Sequence, residues 1–281
     1  MIFAIEKGNQ CPEWAFDGQI HSVFDKAINI ITNDASIPWV SLLDYTLPNT
    51  PCGYRVALSM QPGFRQLKVG ERVYFRGGIL RFPSNPLCNI ETRSAKFWKN
   101  PPLILRYEKE QLIINSKISE VGLIKYINIK LPKITIKNKS DYLSYLHLTF
   151  DKGFLHSPSR VVDNIGKGDG LTPSGDDFIC GILAVLHQAN KLDNQFSQVL
   201  NELTKAIQTR WHQTTDVSRH YLAQALDGDF SQPVQWLVYS LFHSSSDIDV
   251  DKALNDVLEI GSSSGADIIS GILYGVEELL F

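Results

Sequence analysis

The chain has 281 residues, which is long for one compact core and therefore favours two domains. Its apolar share of 43% and charged share of 20% are ordinary for a globular protein. A formal net charge of −3 argues against a nucleic-acid partner, because phosphate backbones bind strongly basic surfaces. The chain has no apolar stretch of the roughly 18–20 residues that a membrane span requires, so we expect no membrane partner.

The cysteines and the first residues indicate a cellular location. Residues 1–7 lack the charged and apolar regions of a signal peptide. The four cysteines (Cys11, Cys52, Cys88 and Cys180) are scattered without metal-ligand or redox spacing. Cysteines of this kind are typical of reduced thiols in the cytoplasm. We therefore expect a cytoplasmic protein.

Residues 1–139 are predicted to form a β-rich domain. Short runs of β-branched and aromatic residues alternate there with turn signals. Their regular spacing predicts a curved antiparallel sheet or a small barrel, with one helix at 92–98. The predicted strands are 21–31, 39–43, 54–60, 71–75, 103–107, 112–114, 123–129 and 134–136.

Residues 140–281 are predicted to form an all-helical domain, because their apolar residues recur with helical spacing. The predicted helices cover 141–149, 196–207, 215–227, 234–242 and 250–260, besides two that carry the motifs described below. Three polar residues are expected to cap helix starts, and two glycines to end helices: Ser140, Thr215 and Asp249, then Gly228 and Gly261. The predicted fold class is therefore α+β, with the boundary at residues 139–140.

A glycine-rich loop at 166–170 is the most informative segment, because it leads directly into an apolar helix. Thr172 and Pro173 are typical of an N-cap and a first helical position. Glycines let a ligand approach the main chain, and free N–H groups at a helix start bind anions. The segment therefore predicts a site for phosphate, carbamoyl phosphate or a small carboxylate. Its predicted ligand-binding residues are Lys167, Gly168, Gly170, Thr172, Ser174 and Gly175, with Arg160 on the preceding segment 157–160.

Two adjacent carboxylates, Asp176 and Asp177, occupy the first turn of the same helix. They are predicted to be catalytic, in one of three ways: holding Mg²⁺ beside a phosphate, accepting hydrogen bonds from an NH₂ group, or acting as a base. The plainer alternative is stabilisation of the helix N-terminus, worth about 0.3–1 kcal/mol. The joint pattern of loop and carboxylates favours function. Mg²⁺ is the one candidate cofactor, although the sequence has no cluster of metal ligands.

A weaker copy of this motif returns at a constant offset of 90 residues (174 to 264). Glycine within a buried helix costs about 1 kcal/mol relative to alanine, so a glycine in each copy predicts a close crossing of the two helices. The two starts would then face one pocket, with Asp267 as a third catalytic residue; the alternative is chance similarity. The matching residues are Ser174, Gly175, Asp177 and Gly181 with Ser264, Gly265, Asp267 and Gly271.

A polar helix start at 214–221 lies between the two copies. Thr215 and Ser218 are predicted to bind ligand, the alternative being an N-cap and a tolerated helical serine. Ser264 and Gly265 are the ligand-binding candidates of the second copy. His220 is expected to lie on a solvated helix face.

Three motifs in combination resemble one family: GxGxGLTPSxDD at 166–177, TTxxS at 214–218 and GxxSGAD at 261–267. The chain is similar to the AllH-like subunit of oxamate carbamoyltransferase. The resemblance covers residues 160–281, while the first half fits only the family's outline. It implies a role in purine-ureide (allantoin) breakdown, where oxalurate and phosphate are converted to oxamate and carbamoyl phosphate by an enzyme of several different subunits.

The resemblance leaves three functions open. The first is a carbamoyltransferase subunit with a small anionic substrate and other subunits as partners. The second is a non-catalytic partner subunit of the same enzyme. The third is a stand-alone Mg²⁺-dependent hydrolase that uses the aspartate pair.

Overall fold

A computed structural model describes residues 1–34, 38–58, 61–148, 153, 158–243 and 249–280. It divides into two compact units, Met1–Asn100 and Pro101–Phe281. The described part of the chain contains no helix with both the length and the apolar character needed to cross a membrane.

The first unit is one curled, mixed sheet in which ten strands are described, in the spatial order β1-β9-β8-β7-β3-β4-β5-β6-β2-β10. In chain order the strands are Ile2–Phe3 (β1), Glu6–Lys7 (β2), Phe16–Val23 (β3), Ala27–Thr32 (β4), Trp39–Asp44 (β5), Gly53–Val56 (β6), Arg72–Arg76 (β7), Ile79–Arg81 (β8), Ile90–Glu91 (β9) and Lys96–Phe97 (β10).

The sheet curls because the same two chain segments pair at both of its ends. β1 pairs in parallel with β9 at one end, and β2 pairs in parallel with β10 at the other. Alternate side chains such as Ile28 and Ile30 point inward and fill the core with Phe75 and Leu80. The predicted curved sheet is confirmed, although three of its pairings are parallel.

Two predictions in the first unit are wrong. The single strand predicted at 21–31 is a hairpin, since β3 and β4 pair on either side of residues 24–26. The helix predicted at 92–98 is absent, and β10 occupies part of that range. Residues 59–60 of the strand predicted at 54–60 lie outside the described residues.

Helices are the only regular secondary structure in the described part of the second unit. Its α-helices are Lys109–Lys130 (α1), Lys139–Tyr145 (α2), Ser174–Leu192 (α3), Ser197–Arg210 (α4), Asp216–Leu226 (α5), Gln232–Phe242 (α6), Val250–Leu258 (α7) and Ser264–Leu280 (α8). A 3₁₀ helix, Pro158–Asn164, precedes the glycine-rich loop. The all-helical half with two motif-bearing buried helices, α3 and α8, is confirmed.

The four strands predicted between residues 103 and 136 are wrong. Two of them, 112–114 and 123–129, lie within α1, and the other two have no strand structure. The β-branched isoleucines of α1 lie on both of its faces, which obscures the helical period. The compact units therefore divide at residue 100, ahead of the predicted boundary at 139–140.

The predicted helix caps are mostly confirmed. Thr215 and Asp249 accept hydrogen bonds from backbone N–H groups at the starts of α5 and α7. Gly228 and Gly261 have positive φ just after helix ends. The cap of α2 is Asn138, not Ser140, and its Oδ1 accepts from the N–H of Asp141 at 2.9 Å. Residue 149 of the helix predicted there lies outside the described residues.

Candidate functional site

Helices α3 and α8 cross at van der Waals contact of their backbones. A Cβ atom on Gly181 would lie 2.1 Å from the carbonyl oxygen of Ile268. A Cβ atom on Gly271 would lie 2.0 Å from the carbonyl oxygen of Phe178. The two contacts are related by the same 90-residue offset as the motif (178 to 268, 181 to 271). The predicted close crossing at these glycines is confirmed, and glycine is required there for space.

The two helices run in the same direction, so their N-termini lie side by side. Two turns before the crossing, the hydroxyls of Thr172 and Ser264 are hydrogen-bonded at 2.9 Å. One turn after it, a Cβ on Gly275 would lie 3.1 Å from Cβ of Val185. Positions related by the 90-residue offset therefore also meet beyond the crossing (185 and 275), and the positive ends of both helix dipoles point to one region.

Asp177 and Asp267 are buried in that region, with 6% and 0% of their surfaces exposed. The hydroxyl of Tyr142 on α2 donates to Oδ1 of Asp267 at 2.8 Å. The Oδ2 atoms of Asp177 and Asp267 have no hydrogen-bond partner among the described residues. Buried polar atoms are normally paired, so each of these oxygens is available for a group that the described residues do not supply.

The pKa values show that the two carboxyls interact. Burial raises the pKa of Asp177 well above its usual value, and the charge of Asp267 raises it further. Burial also raises the pKa of Asp267, against the hydrogen bond from Tyr142. Tyr142 remains protonated because burial raises its own pKa, so it donates to Asp267. The pair therefore retains protons to a higher pH than isolated aspartates do.

Asp176 has a different environment from its neighbour Asp177. Its Oδ1 accepts from the backbone N–H of Gly166 at 2.9 Å, and its Oδ2 accepts from the hydroxyls of Thr214 and, at 2.6 Å, Ser218. Asp176 is buried, and both oxygens are occupied by groups of the chain. The side chain of Asp176, on α3, therefore connects α3 to the glycine-rich loop and to the start of α5. Its role in the structure is to position these segments.

The start of α3 differs from the prediction. The helix begins at Ser174 with Pro173 at the N-cap, so Thr172 is not the cap and Pro173 is not at the first helical position. The hydroxyl of Thr172 instead contacts Ser264. Thr215 donates its hydroxyl to the carbonyl of Leu171 while accepting from the N–H of Ser218. These contacts hold the end of the loop between α5 and α8.

The glycine-rich loop presents free donors at its exposed tip. Its glycines 166, 168 and 170 all have positive φ, as only glycine readily adopts. The N–H groups of residues 168–171 donate no hydrogen bond within the described residues, and these four residues are exposed. Alternation of φ signs along 168–170 is the backbone pattern with which successive N–H groups form anion-binding concavities.

The base of the loop is occupied by packing. The N–H of Gly175 donates to the carbonyl of Lys167 at 2.9 Å, and a Cβ on Gly175 would lie 1.9 Å from the carbonyl oxygen of Asn164. Gly265 is equivalent, since its Cβ would lie 2.0 Å from the carbonyl oxygen of Val257. The two glycines therefore serve close packing, and the candidate ligand donors are those of the tip.

The two cationic residues predicted to bind an anion, Lys167 and Arg160, have separate environments. Lys167 donates from Nζ to Oδ1 of Asn164 at 3.2 Å. Arg160 is exposed on the 3₁₀ helix Pro158–Asn164. Residue 157 of the predicted segment 157–160 lies outside the described residues.

Sequence reasoning missed Tyr142 and Thr214. Tyr142 is 125 residues from Asp267 along the chain, and nothing local marks it as a partner. Thr214 stands beside Thr215 in the polar start of α5, so that cluster carried a usable signal. Across the described ranges, no group of three or more His, Cys, Asp or Glu side chains is arranged to hold a metal ion.

Comparison with known proteins gives two family matches. Residues 164–276 match the family model described as oxamate carbamoyltransferase subunit AllH. Residues 3–96 match the model of the AllH family N-terminal domain. Together they cover most of both units. No solved structure is significantly similar to the chain.

Proposed function

Because the chain belongs to the AllH family of oxamate carbamoyltransferase subunits, we propose that its helical unit carries a ligand site for that reaction. The site consists of the loop tip, 168–171, and the carboxyl pair Asp177 and Asp267. We place the reaction in purine-ureide (allantoin) breakdown, with a cytoplasmic location. The observation that carries the proposal is the pair of buried carboxyls with one unpartnered oxygen each, beneath two adjacent helix N-termini.

The ligand set fits these groups. Phosphate requires N–H donors, which the loop tip presents, and the positive ends of two helix dipoles favour its charge. A carbamoyl NH₂ group requires an acceptor, which the Oδ2 atom of Asp267 supplies. The hydroxyls of Thr172 and Ser264 contact each other and both lower the pKa of Asp177 by hydrogen bonding, so they lie beside the carboxyl pair.

The raised pKa values suggest how the carboxyl pair assists the chemistry. Phosphate oxygen attacks the carbamoyl carbon of oxalurate, and the C–N bond to the oxamate nitrogen breaks. That nitrogen needs a proton to leave, and a carboxyl of raised pKa holds one for donation. The proton released from hydrogen phosphate restores the carboxyl. Asp176 takes no part, because its oxygens hold the loop and α5.

One observation favours a non-catalytic partner subunit as the second candidate. Asp177 and Asp267 are almost completely buried, and the hydrogen-bonded hydroxyls of Thr172 and Ser264 lie beside them. In that case Asp177 and Asp267 have only a structural role, within a subunit that takes no part in the chemistry.

We expect phosphate and carbamoyl phosphate to raise the melting temperature of the protein at millimolar concentration, because both should bind the folded chain and not the unfolded chain. The Gly168→Ala variant should lose this effect, since its Cβ would lie 2.7 Å from the backbone nitrogen of Ser174 and displace the loop. Gly70→Ala is the matched control, a glycine of positive φ with open space in the first unit. Differential scanning fluorimetry measures the shift. Equal shifts in both variants, or none in the wild type, would argue against the loop site.

A further inference from the structure

Helix α1 is apolar on its outer face as well as on its buried face. Ile118, Val121 and Ile129 are exposed by 39%, 68% and 68%, and their spacing places them on one side of the helix. Leu112 and Leu123 are buried on the other side. A surface helix normally has a polar outer face, so this stripe marks a surface that contacts another molecule.

The stripe forms one wall of a groove of about 700 Å³ between α1 and α7. Gly122 lets the helices approach, because a Cβ there would lie 2.3 Å from Cδ2 of Leu254. Leu254 and Leu258 of α7 provide the apolar floor. From Ile118 to Ile129 the groove extends about 16 Å, or three helical turns. An apolar groove of this length fits the face of one amphipathic helix.

The charges along the groove are unbalanced. Lys117 and Lys125 border it on α1, and Asp251 borders it on α7. None of the three forms an ion pair with another of the described residues. A helix that fills the groove is therefore attracted when it presents carboxylates towards α1.

We propose that this groove binds an amphipathic helix of another subunit of the carbamoyltransferase, with its apolar face on Ile118, Val121 and Ile129. Acidic residues on one edge of that helix pair with Lys117 and Lys125. A second copy of this chain fits less well, because two copies joined through the same face bring together two borders that each carry two lysines and one aspartate. The inference rests on the proposed function in one respect, namely that the chain is one subunit among several.

The test is assembly with the other subunits, measured by size-exclusion chromatography and by titration calorimetry. We expect Val121→Glu and the double variant Lys117→Glu/Lys125→Glu each to weaken binding by at least about tenfold. Both changes are at exposed positions, so the melting curve by circular dichroism should stay that of the wild type. Lys205→Glu is the matched control on the exposed side of α4, and it should bind normally.

Wild-type affinity in both groove variants would overturn the inference and leave the proposed function standing. Self-association of the purified chain that Val121→Glu abolishes would also overturn it, since the occupant would then be a second copy. A wild-type chain that joins no complex would remove both proposals.

Discussion

Replacing Gly271 with alanine should lower the free energy of unfolding of the helical unit by about 3 kcal/mol. The new Cβ would lie 2.0 Å from the carbonyl oxygen of Phe178, so α3 and α8 must move apart. This cost exceeds the gain of about 1 kcal/mol in helix propensity that alanine brings. Urea denaturation followed by circular dichroism measures the change, and Gly181→Ala should behave alike.

Gly275→Ala is the control for this prediction, because it lies in the same helix one turn further on. Its Cβ would lie 3.1 Å from Cβ of Val185, a contact that a displacement of a few tenths of an ångström relieves, so we expect a loss below about 1 kcal/mol. Equal losses at Gly271 and Gly275 would contradict the close backbone crossing.

The Asp177→Asn variant should become progressively more stable than the wild type as the pH rises. The unfolded carboxyl has a pKa of about 3.9, whereas burial and the charge of Asp267 raise the folded pKa well above it. Between these two pKa values only the folded chain holds the proton. The contribution of this carboxyl to the wild-type free energy of unfolding therefore falls by about 1.4 kcal/mol per pH unit. Asparagine has no ionisable proton, so the free energy of unfolding of the Asp177→Asn variant does not contain this pH-dependent contribution.

The measurement is urea denaturation of both proteins at pH values from 4 upward. The difference between them should be smallest near pH 4 and should grow until the folded pKa is reached. Asp169→Asn, which removes an exposed carboxylate of the preceding loop, is the control for the loss of one negative charge. A pH-independent difference for Asp177→Asn would show that the folded pKa is not raised.

The sequence predicted the helix pair well, because its signals are local and repeated. Gly181 and Gly271 are costly within buried helices, so a packing reason was expected, and the 90-residue offset linked the two helices. The helix α1 was not predicted, since isoleucines occupy both of its faces and its period is masked. That outer face is exposed among the described residues, and it is the surface that we propose binds another subunit.

The candidate site was only partly predictable. Adjacent residues on a helix point about 100° apart, so the sequence does not reveal that Asp176 bonds to the loop while the charge of Asp267 acts on Asp177. The contribution of Tyr142 depends on the placement of α2, which is set by packing over distant parts of the chain. Side-chain orientation and long-range partners therefore required the structure.

The carboxyl pair beneath the two helix starts is proposed to serve carbamoyl transfer. The most direct measurement is phosphate-dependent conversion of oxalurate to oxamate by the assembled complex carrying Asp177→Asn. We expect its kcat to fall by about 100-fold or more, because a positioned acid contributes at least that much. The complex carrying Glu202→Gln, which removes an exposed carboxylate of α4 outside the candidate site, should retain wild-type activity. Wild-type turnover with Asp177→Asn, in a complex of normal composition, would contradict the account.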